Sequence, residues 1–466
     1  MARGRSLHYE KFADGSVKCI EDEIPFELPQ GWEWTRLGVI FSHNTGKALN
    51  SKSQVGNPYT YITTSNLYWN RFELTDLKQM LFTDAELEKC TVKKGDLLVC
   101  EGGDIGRSAI WENDDEIRIQ NHIHKMRPYI KLNIKFYYYV LYLYKHTERI
   151  NGKGIGIQGL SSNQLHSLLF PLPPINEQNI IANKINGYFE YIDFLEKEKS
   201  NLSSAIQATK SKILDFAIRG KLVPQDPNDE PASVLLERIR AEKEELIKQG
   251  KIKRDKRESV IFKGEDNSYY EKVGSEVRCI DEELPFEIPD NWEWARLQTV
   301  CMPITDGTHK TPTYSEEGYT FLSSKNVVNG VIDWENVMHI PENLHNELYS
   351  RLSPQKNDIL LAKNGTTGVA AIVDRDCVFD IYVTLALIRT VTHDISPHYL
   401  LRIIQSPVTQ DYFKGSLKGI GVPNLHLEQI RTALIPICPF SEQQRITAKI
   451  KALFDMLDGI ENALIE

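Results

Sequence analysis

The sequence predicts an α+β fold made by tandem duplication, in which an α+β domain and a long coiled-coil-type helix occur twice in pseudo-twofold arrangement. Two observations predict it. The stretch CIEDEIPFELPQGWEWTRLG, beginning at Cys19, returns 260 residues later as CIDEELPFEIPDNWEWARLQ from Cys279, with twelve of twenty positions identical. Behind each copy, apolar residues recur at alternating steps of four and three, the spacing of a coiled-coil seam.

The repeat stays colinear beyond its opening. Tyr61-Ile-Thr-Thr-Ser-Asn-Leu67 aligns with Phe321-Leu-Ser-Ser-Lys-Asn-Val327, and Lys94-Gly-Asp-Leu-Leu98 with Lys356-Asn-Asp-Ile-Leu360. Gly103 and Gly106 align with Gly365 and Gly368, and Lys153-Gly-Ile-Gly156 with Lys418-Gly-Ile-Gly421. Glu177-Gln178 aligns with Glu442-Gln443 at an offset of 265, so a few inserted residues account for the whole drift.

In chain order, residues 1–18 are expected to be an N-terminal tail, in which Tyr9-Glu-Lys11 echoes Tyr270-Glu-Lys272. The first domain covers 19–175 and the second 279–439. Both are rich in aromatic and β-branched residues, broken by turn signals such as Asn57-Pro58, Lys94-Gly95 and Asp306-Gly307. Short apolar runs ending at Val99 and Leu361 predict strands. The spacing of Phe136, Val140, Leu141 and Tyr144 predicts a helix over 135–149, and Pro397 to Gln405 predicts another.

A central helical spacer covers 176–250. Its first helix is closed by Gly220 and Pro224, and Pro231 opens a second with Leu235, Ile239 and Leu246 on one face. A basic linker at 251–278 follows. It begins within a run from Lys248 to Arg257 with six basic residues against one acidic, which reads as a solvated linker or a phosphate contact. A C-terminal spacer helix fills 440–466.

The seam of the first helix runs through Ile181, Ile185, Ile192, Leu195, Leu202 and Ile206; Ile446, Ile450, Leu453 and Leu457 repeat it. At 1.5 Å per residue, residues 177–219 span roughly 65 Å. The two helices are natural partners, with Ile185 and Ile192 expected to meet Ile450 and Leu457 across an antiparallel or crossed pair. The first arm is the longer, so the pairing should be asymmetric. Trp32, Trp34, Trp292 and Trp294 are expected to anchor each domain to its helices.

Composition narrows the function. The 466 residues carry 55 basic and 64 acidic side chains, a formal net charge of −9, with 41% hydrophobic and 26% charged residues. These are ordinary globular values and exclude bulk disorder or a polycationic tail. There is no apolar run of about 18 residues, so no membrane span is expected, and the N-terminus lacks the apolar core of a signal peptide. The seven cysteines are scattered, with no CxxC pair. They read as reduced thiols of a cytoplasmic protein, without a disulfide frame or zinc site.

Catalytic signatures are missing. There is no GxxxxGK[ST] phosphate loop, so nucleotide hydrolysis is not expected. Gly152-Lys-Gly-Ile-Gly156 lacks the strand and helix that flank a cofactor loop. Asn57-Pro58-Tyr59 lacks the second proline of an adenine methyltransferase motif and reads as a turn. His122 and His124 share a face of a probable strand, but no third metal ligand is evident. Asp76-Leu-Lys78 fits a nuclease fragment that chance often supplies. Two similar domains on stiff helices suit a duplex, whose symmetry and regular spacing they match. The net acidity is compatible with this if basic charge gathers on one face.

At these residues the chain resembles the specificity subunits of type I restriction-modification systems, over essentially its whole length. The marks are PFE[LI]P-x-x-WEW-x-RL at the start of each domain, and KxDLL or KxDIL followed by GxxG. Asp306-Gly-Thr-His-Lys-Thr-Pro312, the helix start from Pro173 to Gln178, and Ala217-Ile-Arg-Gly-Lys-Leu-Val-Pro224 complete them. The resemblance implies two target recognition domains, each reading part of a bipartite DNA sequence, and helices that act as a ruler. It implies partners: double-stranded DNA, two methyltransferase subunits that methylate adenine, and restriction and translocase subunits. S-adenosylmethionine, ATP and Mg would belong to those partners, and this chain would hold no cofactor and no catalytic residue. A self-contained modification enzyme with degenerate motifs, and a coiled-coil scaffold with two protein- or glycan-binding domains, stand as the alternatives.

Base edges are read by polar side chains and phosphates by Lys and Arg. On that chemistry the first-domain candidates are Lys47, Ser65, Asn66, Arg107, Gln120, Asn121, His122 and Lys153. Those of the second are Thr308, His309, Lys310, Lys325, Asn326, Lys363, Asn364, Thr366 and Lys418.

Overall fold

The lysine-aspartate turn shows how the sequence builds each domain. Asp96 is almost fully buried and receives Arg127 Nε at 2.7 Å and Nη2 at 2.6 Å from the neighbouring strand. Asp358 receives Arg389 with the same two distances. In both copies a left-handed residue, Gly95 or Asn357, makes the turn. The structure, a computed structural model, describes residues 7–49, 55–150, 159–255, 257–417 and 424–464. It divides into two units, Met1–Glu196 and Lys197–Glu466.

In the first unit, a four-stranded antiparallel sheet has the order Ser108–Ile110, Leu97–Cys100, Ile123–Pro128, Phe41–Thr45. A second sheet orders Lys78–Phe82, Asn57–Ile62, Ile117–Ile119 and Thr91–Val92, with one parallel pairing. Asn57-Pro58-Tyr59 is therefore strand, not turn. The helix Ile134–His146 starts at Asn133, whose side chain accepts from the Phe136 amide, and buries Tyr137, Leu141 and Tyr144.

The second unit repeats this plan. Thr305–Asp306, Leu385–Ile388, Ile359–Ala362 and Ala370–Ile372 form one antiparallel sheet, and Met338–Ile340, Tyr319–Leu322 and Phe379–Ile381 the other. Helices Pro397–Gln405 and Pro407–Gly415 take the place of the single helix. Their serine caps and leading prolines set their starts.

Three segments outside the two predicted domains carry structure of their own. The expected tail holds a hairpin, Tyr9–Lys11 with Val17–Cys19, and Glu10 on it pairs with Arg36. The expected basic linker contains a three-stranded antiparallel sheet, Ser259–Lys263, Tyr269–Val273 and Glu276–Cys279. Glu271 on it repeats the pairing with Arg296, which holds its carboxyl down to about 2. The spacer's second helix, Ala232–Lys248, buries Leu235, Leu236 and Ile239 in the core of the second unit. Such strands of three to five residues carry too little alternation to be predicted.

The long helix Ile175–Ile218 runs 44 residues without a break. Its seam is not uniform. Ile181 packs on the core of the first unit and Ile185 is half-buried, but Ile192, Leu195 and Leu202 are 47%, 48% and 41% exposed. Ile206 is buried, and Ile213, Leu214, Ala217 and Ile218 join the core of the second unit.

The C-terminal helix Phe440–Ala463 packs against this last stretch. Ile446 and Ile450 are fully buried, and Leu453 and Leu457 lie against the same core. Lys210 meets Asp458 while Ser203 and Gln207 meet Glu461, so the two segments run antiparallel. The expected meeting of Ile185 and Ile192 with Ile450 and Leu457 is corrected. In the antiparallel register Asp458 meets Lys210, and Ile450 and Leu457 belong to one core with Ile213, Leu214 and Ile218.

Trp32 and Trp292 donate from Nε1 to Glu177 and Glu442 in the first turn of each following helix, as expected. Trp34 and Trp294 do not anchor helices. They pack against Phe26 and Phe286, and Trp294 belongs to a small cluster with Ile261 and Ile280. The seven cysteines are free. No helix among the described residues is long and apolar enough to cross a membrane.

Candidate nucleic-acid interface

In each unit, residues from distant parts of the sequence meet at one rim, where the sheets end. Gly46 and Gly307 explain the approach. A Cβ on Gly46 would lie 2.2 Å from the Ile119 carbonyl oxygen, and one on Gly307 would lie 1.9 Å from that of Ile381. Only glycine lets these strand ends close, and the next residues bridge across: Lys47 to Gln120, and Thr308 to Tyr382. The GxxG turns complete the rim. Gly103, Gly106, Gly365 and Gly368 all adopt left-handed φ, between 71° and 88°.

The rim of the first unit brings together Lys47, Ser65, Asn66, Arg107, Gln120, Asn121 and His122, but not all face outward. Lys47 is turned inward, with Nζ 2.7 Å from Glu86 and 2.8 Å from the Leu81 carbonyl, so its charge is already paired. Asn66 staples its own loop: its oxygen accepts from the Thr63 amide and its nitrogen donates to the Glu73 carbonyl. Arg107 donates to the Thr64 carbonyl at 2.6 Å and lies over the Tyr68 ring. Ser65 and His122 are exposed, while Gln120 and Asn121 are half-buried. Lys153 lies outside the described residues.

In the second unit, Asn326 repeats the role of Asn66. It is buried, accepts from the Ser323 amide and donates to the Asn336 carbonyl. Lys363 is buried and paired with Asp306, whose other oxygen meets His309 Nε2 at 3.2 Å. Thr366 donates to the Ser324 carbonyl at 3.1 Å. His309, Lys310 and Lys325 are exposed; Thr308 and Asn364 are half-buried. Lys418 lies outside the described residues. Lys47, Asn66, Lys363 and Asn326 thus make bonds within the fold that hold the rim together. Buried polar atoms need such partners.

The two histidines also part. His122 sits in the turn before the strand, whereas His124 is buried inside it, with Nδ1 2.7 Å from His43 Nε2 and Nε2 2.7 Å from the Leu160 carbonyl. His166 lies edge-on to His43. Burial pushes His43 down to about 4, aided by His124 and His166, and pushes His124 down as well. His43 is therefore neutral near pH 7. Among the described residues, no three side chains of metal-binding type are placed to hold an ion. The basic run is partly neutralised, with Arg254 on Glu244 and Arg257 on Glu428.

Glu101 was absent from the sequence candidates. It stands at the rim beside His122, with its carboxylate 3.7 Å from the ring nitrogen. The signal was available: Glu101 lies 262 residues before Lys363, within the same repeat.

Known proteins match this arrangement. The model for the type I restriction modification DNA specificity domain matches residues 29–204 and again 289–466. The specificity subunit of type I restriction enzyme EcoAI of Escherichia coli is 27% identical, over 95% of this chain and 80% of its own. That of EcoEI, also from Escherichia coli, is 26% identical over 96% and 82%. A chain from a study of complex assembly and conformational transition in the type I R-M system superposes with a TM-score of 0.63, at 15% identity, covering 95% of this chain and 94% of that one. The HsdS subunit from Thermoanaerobacter tengcongensis gives 0.50 at 14% identity, with coverage of 95% and 94%. At such identities these structures show the shared fold alone. The duplicated family match spans most of the sequence, and the chain belongs to the family of type I restriction modification DNA specificity subunits.

Proposed function

We propose that this chain reads a bipartite DNA sequence, one half with each unit, and directs adenine methylation and restriction by partner subunits. The observation that carries the reading is the duplicated rim. Two copies of one backbone frame present different exposed side chains, Ser65 and His122 in one and His309, Lys310 and Lys325 in the other. Two such readers on one chain suit a split site whose halves differ. Methyltransferase and restriction-translocase subunits are the partners, and the helices carry their docking and set the gap between half-sites. The exposed middle of the long helix, around Ile192 and Leu195, leaves apolar surface for such docking.

In this reading the chain is not an enzyme. S-adenosylmethionine, ATP and Mg act in the partner subunits, in the cytoplasm. The test is twofold. Calorimetric titration of the isolated chain with S-adenosylmethionine should give no stoichiometric binding. The chain assembled with methyltransferase subunits should methylate adenines only within a split sequence, and should bind duplex less tightly as salt rises, because phosphate contacts release counterions. Cofactor binding by the isolated chain, or a flat salt response, would count against the proposal.

A further inference from the structure

The backbone at the two rims is duplicated bond for bond. The Lys47 amide donates to the Ile119 carbonyl at 3.0 Å, as that of Thr308 does to Ile381 at 3.1 Å. Asn121 donates to Lys47 and Val383 to Thr308, both at 3.0 Å. The Glu101 amide donates to His122 at 2.9 Å and that of Lys363 to Thr384 at 2.8 Å. The Glu101 carbonyl accepts from Leu160 at 2.7 Å, and that of Lys363 from Leu425 at 2.8 Å. Glu101 and Lys363 therefore occupy one station, clamped through both amide and carbonyl, and their side chains leave the same point of the same frame.

The charge at that station is reversed. In the second unit Lys363 is buried and neutralised by Asp306. Asp306 pairs in register with Ala386, and the first-unit residue in that register, opposite His124, is Thr45. No carboxylate or cation replaces Asp306 there. The Glu101 carboxylate stays 30% exposed beside His122, itself 57% exposed.

Side chains common to both copies, such as Asn66 and Asn326 or Asp96 and Asp358, hold the frame. Side chains that read different half-sites must differ between copies, and Glu101 is the sharpest difference at a clamped position. An ionised carboxylate is acceptor-only and is repelled by phosphate, so on DNA its match is an exocyclic amino group in the major groove. We propose, on the reading that each unit recognises one half of a split site, that Glu101 is a specificity-determining residue of the first unit. It accepts a hydrogen bond from the amino group of a cytosine or adenine.

The test is selection from a randomised duplex library by this chain assembled with its methyltransferase subunits, comparing the wild type with Glu101→Ala and Glu101→Lys. The clamp uses main-chain atoms alone and the Glu101 side chain reaches solvent, so the frame accepts both variants. The wild type should select cytosine or adenine at one position of one half-site. Glu101→Ala should lose about tenfold of that preference, the scale of one base-edge contact. Glu101→Lys should turn it toward guanine, and the other half should not change. Identical selections by all three proteins would overturn the proposal and leave the half-site reading standing. Uniform weakening at every position would make Glu101 structural and overturn it too. A wild type that selects no sequence would overturn both.

Discussion

The indole nitrogen of Trp292 donates a 3.0 Å hydrogen bond to Glu442, and Trp32 donates one of 2.8 Å to Glu177. Each bond joins the residue just before a short strand, Glu33–Arg36 or Glu293–Arg296, to the first turn of the helix that leaves the domain. The copies differ in depth. Trp292 is 2% exposed, and Glu442 also receives Gln225 at 2.6 Å, whereas the Trp32 contact is half-exposed.

Truncating the buried copy should therefore cost more. Trp292→Ala should destabilise the second unit by about 3–5 kcal/mol, the usual loss for a large buried aromatic. Trp32→Ala should cost the first unit clearly less. Denaturant unfolding of the two variants makes the comparison, and equal losses would contradict it.

The bidentate pairs predict a second asymmetry, between breaking and replacing. Asp358→Ala leaves the Arg389 guanidinium without its carboxylate and should cost about 3–5 kcal/mol. Adding Arg389→Met should restore part of that, because the unpaired charge is gone. Unfolding free energies of the single and double variants decide it.

The histidine cluster predicts acid sensitivity in the first unit. The folded unit holds His43 neutral down to about 4, while an unfolded chain takes up that proton near 6.5. Stability from this group is complete above about pH 6.5 and is lost as pH falls toward 4. His43→Phe should flatten that part of the profile, measured as thermal midpoint against pH. An unchanged slope would place the sensitivity elsewhere.

The long helix predicts a contrast along one seam. Ile192 is 47% exposed and Ile450 is fully buried. Ile192→Asp should change the stability of the isolated chain by no more than about 0.5 kcal/mol. Ile450→Ala should cost about 2–5 kcal/mol. Thermal unfolding of both variants tests this, and a large loss at Ile192 would mean that the middle of the helix is covered in solution.

Much of this was legible because the chain states it twice. The repeated tryptophans, the lysine-aspartate turn and the paired GxxG glycines each mark a contact that the fold makes in both copies. What stayed hidden lacked either period or proximity. The strand Tyr9–Lys11 is three residues long, too short to carry a period of its own. Lys47 looks free in sequence because Glu86, its partner, is 39 residues away. The seam residues satisfy one heptad pattern from Ile181 to Ile206, yet the partner helix covers only the far end. Periodicity names a face but not what lies on it. Glu101 is neither basic nor an amide and so carries no mark of a DNA contact in sequence, although its repeat partner Lys363 is a candidate.

The central claim is that each unit reads its own half of the site. The most direct measurement exchanges residues 279–439 for the same region of a relative and maps methylated adenines by sequencing. One half of the methylated sequence should change while the other half stays as in the parent. A change in both halves, or in neither, would contradict the account.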